Sequence, residues 1–159
     1  MKAFRAFYIE NGERLFGYLL RKSGSAHLAA DLVQDTFTRY LSQYRSRELN
    51  AALLFTIARN IFYDHMRRQR QHVELAEFPS DTATDDQEHQ YIVREESRQV
   101  LAAMQQLDEE DRDILALIVS SGLTYREIAE IRGCSESAVK VRVHRARQQL
   151  RKILATEAS

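Results

Sequence analysis

The sequence predicts an all-α protein of two small helical domains joined by an acidic linker, and three observations lead to this prediction. Apolar residues recur at helical spacing through most of the chain. The 159 residues include only one proline and five glycines, and no tryptophan. Charge is unevenly distributed along the chain. Residues 1–70 contain twelve Lys/Arg and six Asp/Glu, whereas residues 71–93 contain six Asp/Glu and no Lys/Arg. Residues 94–159 contain eleven Lys/Arg and eleven Asp/Glu. Two basic surfaces flanking an acidic tether suggest two contacts with one polyanion.

The composition limits the class of protein. Hydrophobic residues make up 44% of the chain and charged residues 29%, which is typical of a globular protein with a core. No apolar run approaches the roughly eighteen residues of a membrane span, and the N-terminus is too polar for a signal peptide. The single cysteine, Cys134, is expected to be a buried small hydrophobe. We therefore expect a cytoplasmic protein without membrane insertion, cofactor or metal.

The predicted N-terminal domain, residues 1–70, contains three helices. Apolar spacing predicts the first over residues 2–21, with an interruption near Asn11-Gly12, and the second over residues 26–44. The second helix has an outer face with Asp31, Gln34 and Asp35, for which a solvated acidic face is the default interpretation. A polar loop precedes the third helix, which is predicted over residues 51–70.

The outer side of the third helix combines aromatic and charged residues. Phe62 and Tyr63 lie among polar and charged side chains: Asn60, Asp64, Arg67, Arg68 and Arg70. Aromatic rings beside guanidinium groups suit single-stranded nucleic acid, whose bases stack while its phosphates pair with arginine. The alternative is that the rings complete the core, which is favoured for Phe62 and open for Tyr63.

Periodicity disappears over residues 71–91, where an acidic, turn-rich segment predicts a linker. It resumes in residues 92–159, the predicted C-terminal domain of about four helices. Asp108 is the expected N-cap of one helix, and Gly122 is expected to end it. The single cysteine, Cys134, lies in the turn that precedes the last helix of this domain.

Residues 124–154 predict a helix-turn-helix. Thr124 and Glu127 have the spacing of a capping box, Gly133 suits a sharp turn, and Ser135 is a natural N-cap. One stripe of the last helix is apolar: Val139, Val143, Ala146, Leu150 and Ile153. Residues 135–155 hold six Lys/Arg and one acid. A cationic helix presented in this way favours DNA binding over a merely solvated basic face.

These segments resemble those of a bacterial RNA polymerase sigma factor of the extracytoplasmic-function (ECF) group. ADLVQDTFTRYL at 30–41 resembles the polymerase-binding segment of the family. LFTIARNIFYDHMRRQR at 54–70 resembles its promoter-opening and −10 segment. LTYREIAEIRGCSESAVKVRVHRARQQL at 123–150 resembles its −35-reading segment. The three occur in the order and spacing of the family.

The resemblance implies partners and residue roles. The partners are core RNA polymerase, through its β′ clamp helices and β flap, promoter DNA and an anti-sigma factor. Polymerase binding would fall to Asp31, Gln34, Asp35, Phe37 and Leu41. Reading and melting of the −10 element would fall to Asn60, Tyr63, Asp64, Arg67 and Arg68, with Asn60 at the position that captures a flipped base. Contacts with the −35 element would fall to Ser137, Lys140, Val141, His144 and Arg145.

Other functions fit the sequence less well. A freestanding helix-turn-helix regulator remains the alternative, and it would bind duplex DNA tightly without polymerase. A nuclease is disfavoured because no paired carboxylates or histidine clusters recur at site spacing. An interaction adaptor leaves the basic helix unexplained. The sequence therefore predicts a sigma factor that is not itself an enzyme.

Overall fold

The computed structural model describes residues 2–44, 48–75 and 95–158, which form helices and short connections without a β-strand in those ranges. The helices are α1 (Lys2–Ser23), α2 (Ala26–Tyr44), α3 (Ala51–Leu75), α4 (Glu95–Gln105), α5 (Glu109–Ser120), α6 (Tyr125–Arg132) and α7 (Glu136–Ala158). The all-α prediction is confirmed. None of the described helices is long and apolar enough to cross a membrane.

Helices α1 to α3 form an N-terminal unit around aromatic side chains. The rings of Tyr18 and Phe55 meet edge to face at 5.7 Å, and both are fully buried. The predicted interruption of α1 is wrong, because the helix continues through Asn11-Gly12. Asn11 is buried, and its side-chain amide nitrogen donates to the backbone oxygen of Phe7 at 3.1 Å, one turn earlier in the same helix.

The start of α3 is fixed by Asn50. Its side-chain oxygen accepts a hydrogen bond from the amide of Leu53 at 3.1 Å, as an N-cap does. Its own amide donates to the hydroxyl of buried Tyr40 at 3.0 Å, which ties the helix start to α2. The helix runs five residues beyond its predicted end, so residues 71–75 of the predicted linker are helical. The rest of that linker, residues 76–91, lies outside the described residues.

Helices α4 to α7 form a C-terminal unit, and its predicted helix signals are confirmed. Asp108 caps α5 by accepting from the amide of Asp111 at 2.8 Å. Thr124 and Glu127 form a complete capping box at the start of α6. Gly133 ends that helix with φ 68° and ψ 37°, in the left-handed region that favours glycine. A short turn then leads into α7, where the amide of Ala138 donates to the Ser135 hydroxyl at 3.0 Å.

The two units pack directly on each other. Helix α1 lies along α5 and contacts α4, and α3 contacts α6. Buried apolar residues of both units form one continuous cluster. The sequence predicted two domains on a tether, but it did not predict that their surfaces meet.

Candidate nucleic-acid interface

The last helix, α7, has a buried apolar stripe and an exposed polar face. Val139, Val143 and Ala146 are buried against the rest of the C-terminal unit. The opposite face contains the predicted −35 residues, which are all exposed: Ser137, Lys140, Val141, His144 and Arg145. The Val141 side chain is 52% exposed, although it is apolar. An exposed apolar residue among cations can contact a thymine methyl group beside phosphates.

The orientation of α7 is set by ion pairs with α5. The Arg142 guanidinium lies 2.5 Å from the Glu110 carboxylate and 3.3 Å from that of Asp111. Both acids lie in the first turn of α5, where a negative charge interacts favourably with the helix dipole. The structure shows that they also hold α7 through Arg142, so Arg142 has protein partners, and Lys140 and Arg145 lie on the outward face.

The turn between α6 and α7 corrects one prediction. Cys134 is exposed, not buried. Its amide donates to the backbone oxygen of Ala129 at 3.0 Å, a bond that closes the end of α6. Because this turn lies at the surface, a residue within it cannot reach the core. The prediction from average cysteine burial was therefore wrong.

The outer side of α3 is the second candidate surface. Asn60, Arg67 and Arg68 are exposed, and the Asp64 carboxylate pairs with Arg67 at 3.1 Å. Phe62 is 1% exposed, which confirms the core interpretation for that ring. Tyr63 is half-buried, and its hydroxyl accepts a hydrogen bond from Lys22 of α1 at 2.8 Å. The structure thus places four of the five predicted −10 residues at an accessible surface, whereas Tyr63 is half-buried and hydrogen-bonded to Lys22 of the same unit.

The predicted polymerase-binding residues also comprise four exposed residues and one that is not exposed. Asp31, Gln34, Asp35 and Leu41 are exposed along one side of α2. Phe37 differs, because it is only 4% exposed and its ring packs 4.6 Å from that of Tyr8 on α1. Its position is that of a core residue that holds α2 against α1, so it cannot itself offer a surface to a partner.

A buried carboxylate lies where the two units meet. Asp113 of α5 is fully buried, and one of its oxygens accepts from the Tyr18 hydroxyl at 2.7 Å and lies 3.1 Å from the Lys22 ammonium. The other oxygen accepts from Arg59 of α3 at 2.9 Å and from Arg132 of α6. We call these five residues the Asp113 cluster. It connects α1, α3, α5 and α6 through a single side chain.

The pKa directions follow from this arrangement. Burial by itself would raise the pKa of Asp113, but the three cations and the donated hydroxyl outweigh burial and hold it below its ordinary value of 3.8. Burial lowers the pKa of Lys22, and the carboxylates of Asp113 and Glu109 reverse only part of that effect. Burial raises the pKa of Tyr18, and the neighbouring Asp113 raises it further, so the hydroxyl keeps its proton.

Sequence reasoning missed this cluster, although the sequence contains a signal for it. Lys22 follows Leu15, Tyr18 and Leu19 on the apolar stripe of α1, and Asp113 lies one turn before Leu117 on that of α5. A charge on an apolar stripe needs a partner, because Lys and Asp are almost never fully buried unless paired. Which charges pair depends on how the units pack. Among the described residues, no group of His, Cys, Asp and Glu could hold a metal ion.

Comparison with known proteins assigns both units to regions of one protein family. The family model for sigma-70 region 2 matches residues 7–72, and that for sigma-70 region 4 matches residues 97–150. The ECF RNA polymerase sigma factor EcfG of Rhodopseudomonas palustris is 36% identical over 145 residues, which cover 88% of this chain and 78% of that protein. The RNA polymerase sigma factor CarQ of Myxococcus xanthus is 33% identical over 161 residues, which cover 96% of this chain and 89% of the relative.

A solved structure is similar over both units together. It is the sigma factor RpoE of Bartonella quintana in complex with the anti-sigma factor NepR. The sequences are 29% identical, the TM-score is 0.75, and the match covers 98% of each chain. Since the superposition spans both units, their relative placement here is similar to that in the RpoE chain.

Proposed function

Because this chain belongs to the sigma-70 family, as an ECF sigma factor that directs promoter-specific transcription by RNA polymerase, we propose that its exposed faces divide promoter reading between the two units. The observation that carries this proposal is the pair of accessible polar faces on α3 and α7. Each lies on a helix whose other side is buried and thus rigidly held. The chain itself contributes no catalysis, which belongs to the polymerase, and it works in the cytoplasm.

The α7 face enters the major groove at the −35 element. Lys140 and Arg145 are long cations that can donate to guanine edges or to phosphates. Val141 lies between them on the same face and can contact a thymine methyl group, while Ser137 and His144 extend the polar surface along the helix. The buried stripe of α7 and the Arg142 ion pairs keep this face pointing outward.

The α3 face holds the −10 strand after it separates. Asn60 can hydrogen-bond the edge of a base turned out of the stack, and Arg67 and Arg68 can pair with neighbouring phosphates. Unstacking one base costs a few kcal/mol, and hydrogen bonds and stacking at this surface can offset that cost. Tyr63 would supply the stacking ring once it is free of Lys22.

The α2 face binds core polymerase through Asp31, Gln34, Asp35 and Leu41. Two carboxylates and an apolar side chain along one helix form a surface that suits a basic helical partner with an apolar centre. We assign this contact to the β′ clamp helices and a second contact, by the C-terminal unit, to the β flap. An anti-sigma factor is a further partner, because the two units are placed as in the RpoE chain, whose structure includes NepR.

In-vitro transcription with purified core polymerase tests the proposal. On a promoter-fragment library, the chain should confer start sites that core polymerase alone does not use. Arg145→Ala should reduce binding to the selected −35 element by about 1–3 kcal/mol if it reads a base edge. Arg5→Ala, which removes an exposed arginine of α1, is the matched control and should have no effect. Identical start sites with and without the chain would reject the proposal, and tight duplex binding without polymerase would favour a freestanding regulator.

A further inference from the structure

We propose that α7 carries a cup for the 5-methyl group of a pyrimidine, so that promoter binding responds to the methylation of one −35 base. Thymine and 5-methylcytosine present this group in the major groove, whereas uracil and unmodified cytosine lack it. The inference rests on the proposed −35 contact of α7. It adds the feature of the base that the helix reads, and a covalent change of the DNA that regulates binding.

The cup is a shallow concavity of about 350 Å³ in the exposed face of α7. The residues that line it are Ser137, Ala138, Val141, Arg142 and Arg145. They are spaced by one and two helical turns, so their side chains surround one hollow on the outside of the helix. Ala138 and Val141 are both exposed and form its apolar floor. The hollow has room for the edge of a base, and an apolar floor suits a methyl group rather than a phosphate.

One wall of the cup is held from outside the helix. The Arg142 guanidinium pairs with the carboxylates of Glu110 at 2.5 Å and Asp111 at 3.3 Å, both on α5. With its charged head held there, the aliphatic stem of Arg142 is left as an apolar wall beside Val141. The two acids also keep this cation from pairing with a phosphate. Arg142 is therefore a positioning residue, which gives up affinity for the DNA backbone and favours selectivity for a base.

The rim of the cup accepts either pyrimidine. Thymine presents an O4 acceptor beside C5, and cytosine presents an N4–H donor at the same place. The Ser137 hydroxyl can donate to the first or accept from the second. Arg145 lies eight residues further on, about 12 Å along the helix, so it is placed to contact a neighbouring base pair instead. The methyl group is therefore the feature that the cup distinguishes.

Promoters that differ by single methyl groups test the cup directly. In the promoter fragment selected by the transcription experiment, each −35 thymine on either strand is replaced in turn by deoxyuridine, and each −35 cytosine by 5-methyldeoxycytidine. Competition titration measures how tightly the complete holoenzyme binds each duplex. Val141→Ser removes the centre of the floor at an exposed position. Val119→Ser, at an exposed position of α5, makes the same change elsewhere and is the matched control.

At the base that faces the cup, we expect the methyl group to strengthen binding about fourfold, which is the effect of burying one methylene-sized group. When both pyrimidines are placed at that position with their pairing partners, the ratio of 5-methylcytosine to cytosine should equal that of thymine to uracil. Val141→Ser should abolish both ratios, and Val119→Ser should leave them unchanged. Binding that ignores methyl groups at every −35 position, or that depends on them equally in Val141→Ser, would overturn the cup.

A second variant tests the wall of the cup. Glu110→Gln combined with Asp111→Asn keeps the side-chain shapes but removes both charges that hold Arg142. The freed guanidinium should pair with a phosphate, so the slope of log affinity against log salt concentration should steepen by about 0.9. The methyl effect should fall at the same time. An unchanged slope or an unchanged methyl effect would overturn the role of Arg142. Failure of the wild-type holoenzyme to start at specific promoters would instead overturn the proposed function.

Discussion

The turn before the DNA-reading helix allows a sharp test, because glycine is needed there for a conformational reason only. Gly133 has φ 68°, and a Cβ added to it would meet no atom within 4 Å. Its substitution by alanine therefore introduces backbone strain without a steric clash. The left-handed conformation costs an L-residue about 1–2 kcal/mol. We expect Gly133→Ala to reduce the free energy of unfolding by that amount, and Gly133→Asn to reduce it less, because asparagine tolerates this conformation better.

Gly12 provides the matched control, because the same substitution should have the opposite sign. It lies inside α1, where an added Cβ also meets no atom within 4 Å. Alanine is favoured over glycine inside a helix by about 0.5–1 kcal/mol. Gly12→Ala should therefore raise the free energy of unfolding, so the two alanine variants should differ by roughly 1.5–3 kcal/mol.

Urea denaturation followed by far-UV circular dichroism measures both changes. Binding of the −35 duplex by holoenzyme at low temperature should stay near the wild-type value for Gly133→Ala, because the strained turn is still formed. A Gly133→Ala protein as stable as the wild type would show that the turn does not need positive φ. A destabilised Gly12→Ala protein would show that α1 is interrupted there after all.

Three further predictions concern the proposed surfaces and the Asp113 cluster. Asp35→Lys should weaken association with core polymerase about tenfold or more, because it places a positive charge against a partner surface that we propose to be basic. The matched control, Glu13→Lys on α1, should not weaken association. If both variants co-purify with core polymerase as well as the wild-type chain does, the assignment of α2 as the binding face is contradicted. Asn60→Ala should reduce permanganate reactivity of the −10 region more than closed-complex formation, and an equal loss of both would contradict base capture. Because its neighbours hold the pKa of Asp113 below 3.8, the stability that its carboxylate contributes is complete above pH 3.8 and is lost as pH falls through the lowered pKa. The difference in free energy of unfolding between the wild-type chain and Asp113→Asn should thus be constant near neutral pH and shrink only in more acidic buffer, and a difference that shrinks near neutrality would contradict the lowered pKa.

Local chemistry made much of the fold predictable. The capping box at Thr124, the cap at Asp108 and the glycine at position 133 act between residues a few positions apart, and the structure confirms all three. The apolar stripe of α7 was predictable for the same reason, because helical geometry alone decides which residues share a face. The boundary of α3 was less predictable. No proline or glycine ends the helix at Arg70, so it continues to Leu75.

The candidate sites were predictable where they depend on one helix. The exposed face of α7 follows from its buried stripe, and the exposed acids of α2 follow in the same way. Phe37 was assigned to a binding surface because it shares a segment with those acids. Its burial beneath Tyr8 depends on how α1 crosses α2, which is not a property of either helix alone.

The sequence by itself determined the helices, their caps, the polar faces and the family to which these patterns belong. All of these depend on short-range geometry and on residue identity at fixed spacing. Only the tertiary structure decided that the two units meet, that Lys22, Arg59 and Arg132 converge on Asp113, and that the Tyr63 hydroxyl accepts a hydrogen bond from Lys22. The physical reason is that a buried charge specifies a need for a partner, whereas the packing of helices distant in sequence specifies which partner it finds.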